Sequence, residues 1–139
     1  MTRPTTTSTT RGCTCCQPDR QWLDDGTCAT CGHAVLEQQL VPVLLQILCG
    51  GTGLSLWPNP QGFDARRKVK YGIGDGSGDR VGIYKGRWIE VEFKRHDGRQ
   101  SAEQKIRQIL VTRLGGIYAV VRNEAQARQL LERLRREIP

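Results

Sequence analysis

Asp79, Glu92 and Lys94 are the residues of this chain best placed to do chemistry. Residues 81–84 and 88–93 are β-prone runs, and Lys85-Gly86 between them reads as a tight turn. If the loop is those two residues, Tyr84 faces Arg87, and counting back sets Asp79 opposite Glu92. Directly opposed side chains of an antiparallel pair have Cβ atoms about 4.5–5.5 Å apart, where like charges repel. Two facing carboxylates therefore call for something positive between them. Lys94, two residues beyond Glu92, shares its strand face. Two hard oxygen donors and an ammonium on one face suit a divalent cation, Mg²⁺ or Mn²⁺, and an activated water, the equipment of phosphodiester hydrolysis. On a plain solvated face the same residues would make only a surface ion-pair ladder. Asp75, four residues upstream of Asp79, is the rival acid if the register is shifted.

The elements that must position these groups are legible in outline. Residues 35–49 carry Leu36, Leu40, Val43, Leu44, Ile47 and Leu48 at helical spacing, with Pro42 either kinking the helix or beginning it. Residues 54–78 read as a long connection rich in Gly and Pro, with one short strand around 69–71. Arg66, Arg67, Lys68 and Lys70 cluster there as a solvated loop or a phosphate-tracking arm. After the hairpin, Ile89, Val91 and Phe93 should face a core. Glu90 shares the Glu92 face, either open to solvent or supporting the site. Ser101-Ala102-Glu103-Gln104 is a capping box. It opens a helix whose expected buried stripe is Ile106, Ile109, Leu110 and Leu114, ended by Gly115-Gly116. Residues 117–121 read as a buried strand. Asn123 caps a last helix with Ala127, Leu130, Leu131 and Leu134 inward. The expected order is α–β–β–β–α–β–α, a mixed sheet flanked by helices.

Cys13 and Cys16 form one Cys-x-x-Cys pair and Cys28 and Cys31 another, with eleven residues between the pairs. Each pair can give two thiolates to one tetrahedral Zn²⁺, with Cys15 and His33 as spare or substitute ligands. A redox pair is the alternative, but the βαβ setting that a thioredoxin-type motif wants is missing. The expected organisation is a disordered tail over 1–11, a zinc-binding module over 12–34 and a larger domain over 35–139.

The 139 residues carry a formal net charge of +7. Residues 1–34 are neutral, so the whole excess lies in 35–139, where eighteen Lys and Arg meet eleven Asp and Glu. Such a domain suits a polyanion such as DNA, and charge alone serves solubility equally well. No apolar run approaches a membrane span and no secretory signal is visible, so a reducing, cytoplasmic setting is expected. Gly72, Gly74, Gly76 and Gly78 lack a following Gly-Lys-Ser/Thr and open a strand, which excludes an NTPase phosphate loop.

Four separated motifs occur in order: Gly78-Asp79; Ile89-Glu90-Val91-Glu92-Phe93-Lys94-Arg95; Ser101-x-x-Gln104; and Gly115-Gly116-Ile117-Tyr118-Ala119-Val120-Val121-Arg122. Together they resemble the VRR-NUC family of the PD-(D/E)xK nuclease superfamily, across residues 35–134. The resemblance implies a restriction-endonuclease-like fold with Asp79, Glu92 and the Phe93 carbonyl on Mg²⁺ or Mn²⁺. It gives Lys94 the water and makes Gln104 a substrate or site contact, although capping alone would also explain Gln104. Glu37 would match an acid that many members carry on the first helix. The family usually has proline before the first aspartate. Here that residue is Gly78, so the glycine-rich run must hold the backbone. Stand-alone members resemble small homodimers of bacteria and phages, some acting on branched DNA. Lys70, Arg95 and Arg99 are candidate phosphate contacts. The expected function is a structure-selective DNA endonuclease acting on flaps or junctions in a bacterial or phage-infected cell. The alternative is an inert, zinc-containing DNA-binding protein.

Overall fold

Lys85 and Gly86 both have positive φ, 47° and 80°. That is the backbone of a type I′ turn, whose twist matches the strands it joins. The computed structural model, which describes residues 37–95 and 98–139 with side chains from Leu40 onward, places this turn between β4 (Arg80–Tyr84) and β5 (Arg87–Phe93). Tyr84 pairs with Arg87 and Arg80 with Val91, so the next pair in register is Asp79 with Glu92. The tail, the four cysteines Cys13, Cys16, Cys28 and Cys31, and Cys15, His33 and His96 lie outside the described residues.

The remaining elements are α1 (Glu37–Cys49), β1 (Ser55–Pro58), β2 (Gly62–Asp64), β3 (Val69–Tyr71), α2 (Ala102–Arg113), β6 (Ile117–Val121) and α3 (Glu124–Glu137). The main sheet runs β1-β4-β5-β6, antiparallel except for the parallel β5–β6 pair. It is a mixed sheet flanked by three helices. β2 and β3 form a separate two-stranded ribbon. Two of these strands, β1 and β2, correct the reading of 54–78 as a connection with one strand. They are only four and three residues long. Pro58 ends β1, and β1 is a sheet edge, where a residue without an N–H is tolerated.

Ile89, Val91 and Phe93 of β5 point to one face with Ile117 and Val121 of β6. Leu40, Leu44 and Leu48 of α1 and Ala127, Leu130, Leu131 and Leu134 of α3 cover them. α1 runs through Pro42 from Glu37, so this proline lies within the helix and leaves one carbonyl without its usual donor. The Asn123 side chain accepts from Gln126 N and starts α3.

α2 is turned the other way round from the expectation. Ile106, Ile109, Leu110 and Leu114 are exposed, at 68, 54, 44 and 78%. The inward side is instead Gln104, Arg107 and Val111. The sheet face beneath it presents Glu90 and Glu92 beside Val81 and Tyr118, so inward positions include groups that can answer carboxylates. Among the described residues no helix is long and apolar enough to cross a membrane.

Candidate metal centre

Asp79 closes the glycine-rich loop just before β4. Its Oδ2 accepts a hydrogen bond from Phe93 N at 2.9 Å, which ties it to the end of β5. The backbone around it is held by Asn59, a buried residue that sequence reasoning missed. Asn59 Nδ2 donates to Ser77 Oγ and to the Gly78 carbonyl, both at 2.9 Å, and Asn59 N donates to the Asp79 carbonyl at 2.9 Å. Ser77 Oγ donates in turn to the Gly74 carbonyl at 2.8 Å. Gly78 lies against β5 so closely that a Cβ would stand 2.9 Å from both N and O of Val91. That contact excludes larger residues, so the loop relies on glycine and the asparagine clamp.

Glu92 is 4% exposed. Its Oε1 accepts from Gln104 Nε2 at 2.7 Å and lies 3.5 Å from Lys94 Nζ. Its Oε2 is buried with no hydrogen-bond partner. A buried acceptor left unpaired costs about 1–3 kcal/mol or more, so such an atom calls for a partner. Burial, and then the charge of Asp79, push the Glu92 pKa up from 4.5 to about 7, against the opposing pull of Lys94 and of the Asp79 backbone amide.

Gln104 caps α2 and also reaches Glu92. Its backbone N donates to Ser101 Oγ at 3.2 Å and its Oε1 accepts from Ser101 N at 2.8 Å, completing the capping box. Its amide nitrogen is thereby aimed at Glu92. The capping box thus orients a site residue as well as starting α2.

Glu90 is fully buried rather than solvent-exposed. Arg107 Nε donates to both of its oxygens, at 3.2 and 3.1 Å. Arg107 was not foreseen. The signal was its place three residues after Gln104, one turn along the same helix face. Tyr118, paired with Glu90 across β5–β6, donates its hydroxyl to the Gly76 carbonyl at 3.1 Å. Burial and the surrounding carboxylates Glu92, Glu90 and Asp79 push its pKa up, so it stays a neutral donor.

Asp79 and Phe93 open onto a cleft of about 460 Å³, which Val41, Asn59 and Gln61 also line. Val41 lies one helical turn beyond Glu37. The Glu37 side chain itself is outside the described residues. The expected phosphate contacts are spread out. Arg95 and Arg99 sit in the segment from β5 to α2, which Arg122 tethers through its guanidinium to the Gly98 carbonyl at 3.0 Å. Lys70 is on the separate ribbon, 3.3 Å from Asp75, so Asp75 is engaged there.

The structure therefore brings together Asp79, Glu92, the Phe93 backbone, Lys94 and Gln104, and leaves Lys70 apart. Among the described residues no group of three or more His, Cys, Asp or Glu converges. The described donor set is two carboxylates, one of them with a bare buried oxygen, which fits a hard divalent cation that keeps waters in its remaining positions. Neither a model of a known protein family nor a curated protein sequence matches the chain.

Proposed function

We propose that this protein is a metal-dependent DNA endonuclease of the VRR-NUC type, with a restriction-endonuclease-like domain over 35–139. The unpartnered, buried Oε2 of Glu92 beside Asp79 carries the reading. Asp79, Glu92 and the Phe93 carbonyl would hold Mg²⁺ or Mn²⁺, with Glu37 as a further acid from α1. The ion would polarise the phosphoryl oxygen and acidify a bound water.

The chain's own groups do the rest. Gln104 fixes Oε1 of Glu92 and so aims Oε2 outward from the pair. Asn59 and the Phe93 amide hold Asp79 against the strand end. Lys94 keeps an ammonium next to Glu92, where it orients the attacking water and offsets charge developing on phosphate. Arg95, Arg99 and Lys70 contact flanking phosphates. Cys13, Cys16, Cys28 and Cys31 hold a structural Zn²⁺. The substrate is branched DNA, a flap or junction, cut by a homodimer in the cytoplasm of a bacterial or phage-infected cell.

The test is cleavage of labelled linear, flap, fork and four-way DNAs by the full chain with Mg²⁺, Mn²⁺ or EDTA. Cutting should require the divalent ion and should vanish in Lys94→Ala while DNA affinity stays. DNA binding without any metal-dependent cutting would favour the inert DNA-binding alternative.

A further inference from the structure

We propose that the β2–β3 ribbon is a binding element for an unpaired DNA strand, with Tyr71 as the platform on which a base stacks. This rests on the nuclease reading of the neighbouring metal centre and names what part of the substrate that centre is fed.

The ribbon and the segment leaving it expose four large apolar side chains between residues 63 and 73. Phe63 is 58% exposed, Val69 54%, Tyr71 54% and Ile73 45%. A two-stranded ribbon cannot bury such groups by itself. Its charge says what would cover them. Arg66, Arg67, Lys68 and Lys70 lie on it against a single acid, Asp64. Asp64 is taken up locally: its Oδ1 accepts from the amides of Arg66 and Arg67, at 3.0 and 3.1 Å. It thereby shapes the turn and presents the basic side chains at the tip. The Lys70–Asp75 pair is exposed on both sides, so it holds Lys70 only weakly against exchange for a phosphate. Arg67 likewise stands 3.8 Å from Asp64 in an exposed pair, so the cations are at most weakly held, and aromatic rings interleaved with such cations suit a strand whose bases and phosphates alternate. A protein partner would have to bring acids to answer the basic tip, which a nucleic-acid strand supplies in its phosphates.

Tyr71 is placed rather than merely exposed. It pairs with Gly62 across the ribbon, and its hydroxyl end lies against that glycine. A Cβ at Gly62 would fall 2.4 Å from the Tyr71 hydroxyl and 2.6 Å from Cζ, so any other residue there would displace the ring. With that end set against the glycine backbone, more than half of Tyr71 still faces solvent. Only a base already out of a duplex can stack there.

The ribbon also adjoins the metal centre. Phe63, Lys70 and Tyr71 line a cavity of about 390 Å³ together with Gln61. Gln61 also lines the cleft at Asp79, and its Nε2 donates to the Ser77 carbonyl at 3.0 Å. The two concavities thus meet at one residue, and a strand leaving the ribbon enters the cleft beside Asp79.

The test is fluorescence anisotropy of the full chain, with Ca²⁺ replacing Mg²⁺, on three labelled DNAs: an oligothymidylate, a blunt duplex and a duplex with an unpaired flap. Tyr71→Ala should weaken binding to the oligothymidylate and the flap about 5- to 150-fold, the worth of one stacked base. Blunt-duplex affinity should stay within about twofold, because the ring serves only an unpaired base. Tyr71→Trp should keep wild-type affinity. The combined Arg66→Ala, Arg67→Ala, Lys68→Ala variant should weaken single-strand binding and flatten its salt dependence by a slope of about 2.

Equal binding by wild type and Tyr71→Ala overturns the proposal, and so does an equal loss on all three DNAs. A Tyr71→Ala change that dissociates a protein dimer in sedimentation while leaving DNA affinity intact also overturns it, in favour of a protein partner. The nuclease reading is judged separately, by whether the wild type cuts the same flap DNA in Mg²⁺. Cutting combined with a silent Tyr71→Ala refutes the ribbon alone.

Discussion

Glu90 and Glu92 are two residues apart on β5, on the same face, and both are buried. Yet the fold treats them differently. Glu90 meets Arg107, whose Nε reaches both oxygens. Glu92 is answered on Oε1 by Gln104 and Lys94 and not at all on Oε2. One carboxylate is satisfied by the protein and can serve only structure. The other is left short of a partner, next to a second acid, Asp79, that lines a cleft. The contrast, and not burial, marks Glu92 as the acid with an unmet demand for a partner. The opposite face of the same strand is a third case, where Ile89, Val91 and Phe93 are sealed by α1 and α3.

The contrast can be broken hardest at the satisfied acid. Arg107→Met should strip Glu90 of its ion-pair partner among the described residues and destabilise the fold by about 3–5 kcal/mol in urea unfolding at neutral pH. Adding Glu90→Leu should recover most of that loss. A silent Arg107→Met would mean that the two acids are not held differently. On the sealed face, Ile89→Ala should cost about 2–5 kcal/mol of stability by the same measurement and leave the affinity for Mn²⁺ unchanged.

A smaller effect sharpens the comparison through pH. The folded-state pKa of Glu92 is raised from 4.5 to about 7. The folded chain therefore favours the protonated acid. This contribution to stability is complete below about 4.5 and is lost as pH rises through about 7. Urea midpoints of the metal-free chain should show that fall, added Mg²⁺ should offset it at the upper end, and Glu92→Gln should lack it. The smallest effect belongs to the outer side of α2. Ile106→Ser should change the stability of the isolated chain by no more than about 0.5 kcal/mol, since Ile106 is 68% exposed.

Much of this arrangement was legible in the residues because it depends on local rules. A two-residue Lys85-Gly86 turn sets the hairpin register, and with it the Asp79–Glu92 pairing. Ser101 with Gln104, and Asn123 with the stripe of α3, announced their helices through capping and periodicity. What escaped depends on contacts across the chain. Periodicity finds the apolar stripe of α2 but does not say that the facing sheet surface carries carboxylates, so it points the stripe inward where the structure turns it outward. Asn59 meets Ser77 and Gly78 eighteen and nineteen residues away, and no local pattern marks such a clamp. β1 and β2 are too short, and too interrupted by Pro and Gly, for an alternation to register.

Manganese binding by the full chain, followed by electron paramagnetic resonance across pH, tests the central claim most directly. A site shared by Asp79 and Glu92 should tighten as pH rises through about 7, as Glu92 gives up its proton. It should be lost in both Asp79→Asn and Glu92→Gln, while Glu90→Gln keeps it. Binding of equal strength in Glu92→Gln, or no binding by the wild type at millimolar manganese, would contradict the account.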